Sequence, residues 1–246
     1  MRVTLTDSIG QLVFRELATR DSLGLWLTNL EGWAGHPGPR DSKTDRPQND
    51  GTYPNALLLS PGRTITMSVA GKCASSVEAS NLIDRLAGLF GQSLTLVVED
   101  ANGLRWANVR VDDDIAPVLL PSRRTVTCEL ILYADDPLKY GRAATYAAED
   151  GKLTVWNSGT ASVLPSVTVT GSPTAFKLSF DGHEVSWKGD GKSPTVTFDF
   201  ALGVPTSGTL GNDDVFTLPP GSRNIVTVTS SPSAAQLSMT VTPAWR

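Results

Sequence analysis

The sequence predicts a mainly β protein of two domains. Short runs in which apolar and polar residues alternate recur along the whole chain, and this period of two is typical of half-buried strands. The 22 glycines and 16 prolines among the 246 residues favour many turns over long helices. A chain of this length suffices for two ordinary β domains that each bury a hydrophobic core.

The N-terminal domain is predicted over residues 1–141 and opens on two strands joined by a turn. Apolar residues alternate with polar ones along 3–5 and again along 12–14. Further on, Asn102 and Gly103 indicate a tight hairpin, because this pair readily adopts positive φ angles. The other strands expected in this domain are 23–30, 56–59, 63–70, 94–99, 104–111 and 124–132.

A helix with one packed face is predicted over 76–90. Ser75 and Glu78 stand in the order of a capping box, in which a serine precedes a glutamate by three residues. Gly91 is expected to end the helix as the residue after its C-cap. The apolar residues that follow the cap share one face at 3.6 residues per turn, and they are Ala79, Leu82, Ile83, Leu86, Ala87 and Phe90.

Segment 32–54 is rich in Gly, Pro, Asp and Asn and has almost no apolar periodicity, which predicts a long loop or a loosely paired arm. Long ordered loops in compact domains are usually functional or dependent on a partner. A partner-binding arm and a plain flexible excursion both remain open. Trp33 is the tryptophan expected to be exposed, since it lies in this loop. The candidate subunit-interface residues are Trp33, His36, Arg40, Lys43, Arg46 and Tyr53.

The C-terminal domain is predicted over 142–246 as a β-sandwich. Short strands alternate there with turns rich in Gly, Pro, Asn and Asp, which is typical of jelly-roll and similar sandwiches. The expected strands are 153–156, 166–170, 175–180, 183–187, 195–200, 214–218, 224–229 and 236–242. Tryptophans within or beside strand patterns are expected in the core, and these are Trp26, Trp106, Trp156, Trp187 and Trp245.

The sequence contains no pattern typical of an active site. A P-loop, a Rossmann glycine pattern and a G-x-S-x-G elbow are all missing. His36 and His183 fall in different domains, and neither has a Cys or His neighbour at metal-ligand spacing. The acidic run 112–114 lacks the spacing of a calcium loop. The sequence therefore predicts a protein that is not an enzyme, with no catalytic residues, no cofactor and no metal site.

Charge and composition also narrow the partners. The net charge is −4 and the pI about 5.2, so direct sequence-specific binding of nucleic acid is not expected. The N-terminus lacks a signal-peptide pattern, and no apolar stretch has the length of a membrane helix. Cys73 and Cys128 are expected to be free thiols. These features predict synthesis in a cytoplasm, without membrane insertion.

Three groups of residues resemble the distal tail protein of long-tailed bacteriophages with non-contractile tails. LILYADDPLKY at 130–140 is similar to the family's strand followed by a DPxxY ending of its N-terminal domain. VWNSGT at 155–160 with LPSVTVTG at 164–171 is similar to the start of its C-terminal sandwich. PPGSRNIVTV at 219–228 with VTPAWR at 241–246 resembles its closing strands.

The resemblance implies assembly rather than catalysis. Such proteins form a hexameric ring at the virion tail tip, between the tail tube protein and the tail-tip hub protein, and the rim of the ring can carry receptor-binding protein. The family's C-terminal domain is similar in fold to galectins. The residues around His183 read HEVSW and lack a galectin-like His-x-Asn-x-Arg site, so sugar binding is not implied.

Two other functions stay open from the residues alone. One is a carbohydrate-binding module or adhesin, because the chain combines a predicted sandwich with six tryptophans and sugars stack on exposed aromatic rings. The other is a tail-associated hydrolase or peptidase, which only the phage context suggests.

Overall fold

The computed structural model describes residues 1–16, 22–40, 43–53 and 59–246. Strands dominate it, with one α-helix among the described residues, so the mainly β fold class predicted from the sequence is confirmed. The chain divides into two compact units, Met1–Lys139 with Arg246, and Tyr140–Trp245. The predicted strand at 56–59 falls mostly outside the described residues.

The first unit contains a closed β-barrel. Its elements are β1 (Arg2–Thr6), β2 (Gln11–Glu16), β3 (Gly24–Glu31), β4 (Arg63–Lys72), α1 (Ser76–Ala87), β5 (Leu94–Asp100), β6 (Gly103–Val111), β7 (Val118–Leu119) and β8 (Thr125–Ala134). The strands pair in the order β6-β5-β1-β2-β3-β4-β8, and β6 pairs again with β8. Closure leaves the long strands without a free edge, while the short β7 pairs on β8 outside the ring.

Alternation along the strands builds the barrel core. β4 buries every second residue from Arg63 to Gly71, and its partner β8 does the same from Val126 to Ala134. Because successive side chains of a strand point to opposite faces, this pattern places one apolar row inside the barrel. The hairpin expected at Asn102 and Gly103 forms between β5 and β6, and Gly103 has a φ of 96°.

The helix begins at Ser76, as predicted. The N-cap Ser75 Oγ accepts a hydrogen bond from the Glu78 amide at 3.1 Å, and Glu78 Oε2 accepts one from the Ala74 amide. Arg85 fixes the helix to the β1–β2 turn through two bonds to the Asp7 carboxylate, at 2.6 and 2.8 Å. The hydrogen bond from Arg85 is the main reason that the pKa of Asp7 falls to about 2.

The predicted C-terminal end of the helix is wrong. The helix stops at Ala87, and the next backbone bonds join residues three apart, from the Leu89 amide to Leu86 and from the Phe90 amide to Ala87. Such a tightened turn rotates the chain relative to an α-helix. Leu89 therefore takes the inward position, whereas Phe90, expected on the packed face, is 70% exposed.

The second unit is a sandwich of two five-stranded antiparallel sheets. Its ten strands are β10 (Ala144–Ala147), β11 (Lys152–Trp156), β12 (Ser166–Thr170), β13 (Ala175–Phe180), β14 (His183–Lys188), β15 (Thr195–Asp199), β16 (Val204–Pro205), β17 (Thr209–Asp213), β18 (Arg223–Ser231) and β19 (Gln236–Val241). The first sheet has the order β10-β19-β12-β15-β16 and the second the order β11-β18-β13-β14-β17. Two short strands, β9 (Lys139–Tyr140) and β20 (Ala244–Trp245), lie outside both sheets.

The Asn-Ser-Gly-Thr segment after β11 ties that strand to the end of the unit. Buried Asn157 donates from Nδ2 to the carbonyls of Ala161 and Leu218 and accepts from the Gly159 amide. A Cβ at Gly159 would lie 2.1 Å from the Ala244 carbonyl oxygen, so only glycine fits there. The Thr160 amide donates to that same oxygen.

Two predictions for this unit are wrong. The strand expected at 214–218 is not one: the pairing partner of β14 is β17, and Leu218 forms only an isolated bridge with Val163. Phe216 and Leu218 mimic a strand because both side chains are buried two residues apart. Trp156 was expected in the core but is 46% exposed, since Leu153 and Val155 take the inward positions of β11.

Candidate functional site

The arm predicted at 32–54 ends in a short, loosely paired hairpin. Its described residues 43–53 are all exposed. The Tyr53 amide donates to the Thr44 carbonyl at 2.9 Å, the Arg46 amide donates to the Gly51 carbonyl at 3.0 Å, and one bridge joins Asp45 with Thr52. The hairpin therefore keeps its backbone partly paired while it presents all its side chains to solvent.

Two predicted interface residues meet on this hairpin. The Arg46 guanidinium lies 5.9 Å from the centre of the Tyr53 ring, which is the range of a cation–π contact. Lys43 is exposed beside them. A basic group and an aromatic ring that are both accessible form the kind of anchor that protein interfaces use most often.

A buried arginine at the start of β4 binds the first residues of the arm, 32–35, which we call its root. Arg63 is 1% exposed, and its Nη1 donates to the carbonyls of Gly32 at 2.7 Å and Trp33 at 3.1 Å, and also to Gly35. Its Nε donates to the Pro137 carbonyl at 2.9 Å. Burial lowers the pKa of Arg63. The guanidinium gives four carbonyls a charged donor, and that of Trp33 among them is buried, so it fixes the path of the chain as the arm begins.

A buried lysine holds the same turn from the other side. Lys139 is 2% exposed and donates from Nζ to the carbonyls of Trp33 at 3.0 Å and Ala34 at 3.4 Å. Burial, with the nearby charges of Arg63 and Arg105, lowers the pKa of Lys139 to about 8. Carbonyl oxygens of residues 32–35 accept hydrogen bonds from Arg63 Nη1 and Lys139 Nζ, while Arg63 Nη2 is buried without a hydrogen-bond partner.

The expectation that Trp33 is exposed is wrong. Its side chain is 5% exposed and belongs to the barrel core, with the ring centre 5.8 Å from Lys139 Nζ. The physical reason is the pair of buried cations, Arg63 and Lys139, which we call the clamp. Their hydrogen bonds hold the backbone of residues 32–35 against the barrel, and the indole of Trp33 is buried as a result. Trp33 therefore offers no surface to a partner in this structure. Its packing in the barrel core anchors the start of the arm.

His36 and Arg40 lie between the root and the hairpin. His36 Nδ1 is 2.7 Å from the Pro37 carbonyl oxygen, and Nε2 is 3.3 Å from Ser60 Oγ. The Arg40 amide donates to the Leu59 carbonyl at 2.7 Å. These contacts tie the outgoing and returning parts of the arm, while both side chains stay exposed. The sequence does not identify Arg63 and Lys139, because Arg63 begins a strand-like run and Lys139 follows a polar turn, and neither pattern marks a charged side chain as buried.

Within the described ranges, no cluster of three or more His, Cys, Asp or Glu side chains could hold a metal ion. His183 Nδ1 lies 3.0 Å from Asp214 Oδ1, in an exposed pair. Cys73 and Cys128 are free, and burial raises the pKa of each thiol. In the part of the chain that the structure covers, no helix is long and apolar enough to span a bilayer.

The fold resembles solved structures of phage tail components. The Dit protein of phage SPP1 aligns over 99% of this chain and 99% of its own, with a TM-score of 0.74 and 15% identical residues. This chain has the fold of that protein. The SPP1 protein is described as a paradigm of the hub adsorption apparatus in phages that infect Gram-positive bacteria.

Two structures of the phage P2 baseplate in its activated conformation are similar as well. A chain of the calcium form aligns over 97% of both chains with a TM-score of 0.56 and 9% identity. A chain of the strontium form aligns over 98% of this chain and 97% of its own, with a TM-score of 0.55 and 9% identity. No protein-family model matches the sequence, and no curated protein shows a significant match to it.

Proposed function

We propose that this chain is a distal tail protein of a long-tailed phage and a structural, non-enzymatic component of the virion tail tip. The observation that carries the proposal is the likeness to the SPP1 Dit protein over 99% of both chains, which takes in the barrel, the helix and the sandwich together. The residue groups that resemble the distal tail family support the same assignment independently of the fold.

The proposed assembly is a hexameric ring built by residues 1–141. A ring that closes by rotation uses a head-to-tail interface, in which one surface of a subunit binds a different surface of the next. The exposed hairpin with Lys43, Arg46 and Tyr53 suits such a contact, and His36 and Arg40 are exposed in the part of the arm that precedes it. Because Arg63 and Lys139 already fix residues 32–35, the arm loses less conformational entropy when it becomes ordered on assembly.

In this proposal the ring joins the tail tube protein on one side to the tail-tip hub protein on the other. The sandwich of residues 142–246, which we assign as galectin-like, lies at the rim and serves as the attachment point for receptor-binding protein. No cofactor takes part. The mildly acidic charge of −4 suits a ring through which DNA passes without strong attraction to its wall.

The location can be tested on phage particles that carry this chain. Antibodies raised against the purified protein and labelled with gold should bind at the end of the tail away from the head in electron micrographs. Particles that lack the protein should show tails without a functional tip. Label along the tail tube, on the head, or on no part of the particle would contradict the proposal.

A further inference from the structure

The outer face of the second sheet of the sandwich carries an apolar platform. Trp156 on β11 is 46% exposed and Ile225 on β18 is 54% exposed. Tryptophan in a strand normally fills a core, because its large apolar surface gains most from leaving water. Trp156 and Ile225, two large apolar side chains on the solvent side of one sheet, therefore mark a surface suited to binding.

The pairing register places these two side chains next to each other. Trp156 lies opposite Arg223 and Thr154 lies opposite Ile225 in the β11–β18 ladder. Trp156 and Ile225 are thus diagonal neighbours on the same face, at a separation that large side chains can bridge. The indole and the isoleucine form one continuous platform, with the Arg223 guanidinium and the Thr154 hydroxyl on its borders.

A shallow, open depression continues this platform across the sheet. It has a volume of about 330 Å³ and is lined by Ile225, Thr227, Ser179, His183 and Glu184, together with the β13–β14 turn. Thr227 and Glu184 both pair with Ser179, so the three polar side chains follow one another across three strands. The pocket thereby combines an apolar border with hydroxyl, carboxylate and imidazole groups that can donate and accept hydrogen bonds.

The charge of this face is opposite to that of the chain. Lys152, Lys177 and Arg223 are exposed on it, and its carboxylates are Glu184 on β14 and Asp181 in the β13–β14 turn, whereas the whole chain has a net charge of −4. Glu184 already forms an ion pair with Lys177. Lys152, opposite Thr227, and Arg223, opposite Trp156, leave the platform side of the face positive. A bound molecule with negative charge would be favoured there.

We propose that this face binds an anionic oligosaccharide, a chain of pyranose rings that carry carboxylate groups. One sugar ring stacks with its C–H face on Trp156 and Ile225, and the acidic group on it pairs with Arg223 or Lys152. The next ring enters the pocket, where Thr227, Ser179 and Glu184 bond its hydroxyls. This site lies within the sandwich and does not depend on ring formation, so it goes beyond the assembly role.

Calorimetric titration of the full-length protein tests this site. The probes are tetragalacturonate and tetramannuronate, with neutral galactotetraose as the matched uncharged sugar and inorganic phosphate as the simple anion. We expect one of the acidic tetrasaccharides to bind, and to bind more tightly than galactotetraose or phosphate. Absence of binding by both acidic probes would overturn the proposal, as would phosphate binding as tightly as the sugar.

Variants separate the platform from its surroundings. Trp156→Ala should weaken binding of the acidic probe by about tenfold or more, and Trp156→Phe by less, because a smaller ring keeps part of the stacking. Arg223→Gln should remove most of the preference for acidic over neutral sugar. The control is Leu202→Ala, since Leu202 is 74% exposed but lies between β15 and β16 of the other sheet. Unchanged affinity in Trp156→Ala, with an unchanged melting temperature, would overturn the proposal.

Discussion

Arg63 Nη1 donates a hydrogen bond to the carbonyl oxygen of Trp33 at 3.1 Å, and both residues are buried. This contact joins the first residue of β4 to the root of the arm, thirty residues earlier in the chain. A flexible segment of similar composition would have no fixed direction as it leaves the barrel. The buried guanidinium gives the arm a defined origin, and in the proposed ring this would lower the entropic cost of binding by its exposed hairpin.

Replacing Arg63 should therefore damage both the fold and the arm. Arg63→Met removes the donor from the carbonyls of Gly32, Trp33, Gly35 and Pro137, and we expect a loss of roughly 2–4 kcal/mol in the free energy of unfolding. Urea denaturation measures it. The control Arg40→Met removes an exposed arginine of the same arm and should change stability by less than about 0.5 kcal/mol. Equal losses of stability in the two variants would contradict a stabilising role for the buried hydrogen bonds of Arg63.

The buried lysine predicts a pH dependence of stability. In the folded chain Lys139 loses its proton near pH 8, whereas in the unfolded chain it keeps the proton until its ordinary pKa of 10.5. The unfolded state then binds more protons between these values, so the contribution of Lys139 to the free energy of unfolding increases as the pH rises from 8 towards 10.5, by no more than about 3 kcal/mol.

The measurement compares wild type with Lys139→Met by urea denaturation at pH 7, 8, 9 and 10. Subtracting the variant from wild type removes the titration of the other lysines and the tyrosines. The difference in the free energy of unfolding should increase with pH above 8 in favour of wild type. A difference that is flat across the series would show that the Lys139 ammonium is not penalised by burial.

A pair of variants on the helix tests the position at which it ends. Leu86→Asp places a charge in the barrel core and should lower stability by several kcal/mol or prevent folding, because Leu86 is 2% exposed. Phe90→Asp changes a residue that lies beyond the helix and is exposed, so it should alter stability by less than about 0.5 kcal/mol. Thermal denaturation followed by circular dichroism distinguishes them. Destabilisation by both to the same extent would restore a helix that continues to residue 90.

Removal of the hairpin should separate folding from assembly. Deleting 43–49 takes away exposed residues that do not belong to the barrel core, so each subunit should keep the melting temperature of the single wild-type chain. The mass of the assembly should fall. A chain with a Gly-Ser segment of equal length in place of 43–49 is the matched control for loop length and should also fail to assemble. Normal assembly of both variants would eliminate the arm as an interface.

Most strands could be predicted because their side chains alternate between core and solvent, as in β12 and β13, whose bounds match the predicted ones. The alternation misled at 214–218, where Phe216 and Leu218 are buried without a neighbouring strand. Alternation also does not show which face of β11 points inward, and for this reason the prediction that Trp156 lies in the core is wrong. In each case the answer depends on contacts with distant segments of the chain.

The site was harder to predict for the same reason. Composition identified the arm, since a segment rich in Gly, Pro and Asp cannot fill a core. Burial of Arg63 and Lys139 depends on carbonyl groups at 32–35, which come from remote parts of the sequence, and a single sequence carries no sign of that convergence. The prediction that Trp33 is exposed fails for this reason, because the sequence does not show that Arg63 and Lys139 bind the backbone on either side of it.

In the proposed assembly six copies of this chain close into a ring, and the mass of the purified protein in solution shows whether they do. Multi-angle light scattering should be measured over a range of protein and salt concentrations. We expect a species of six times the 26.2 kDa chain, whose share increases with protein concentration. A mass of one chain at every concentration and salt would contradict it.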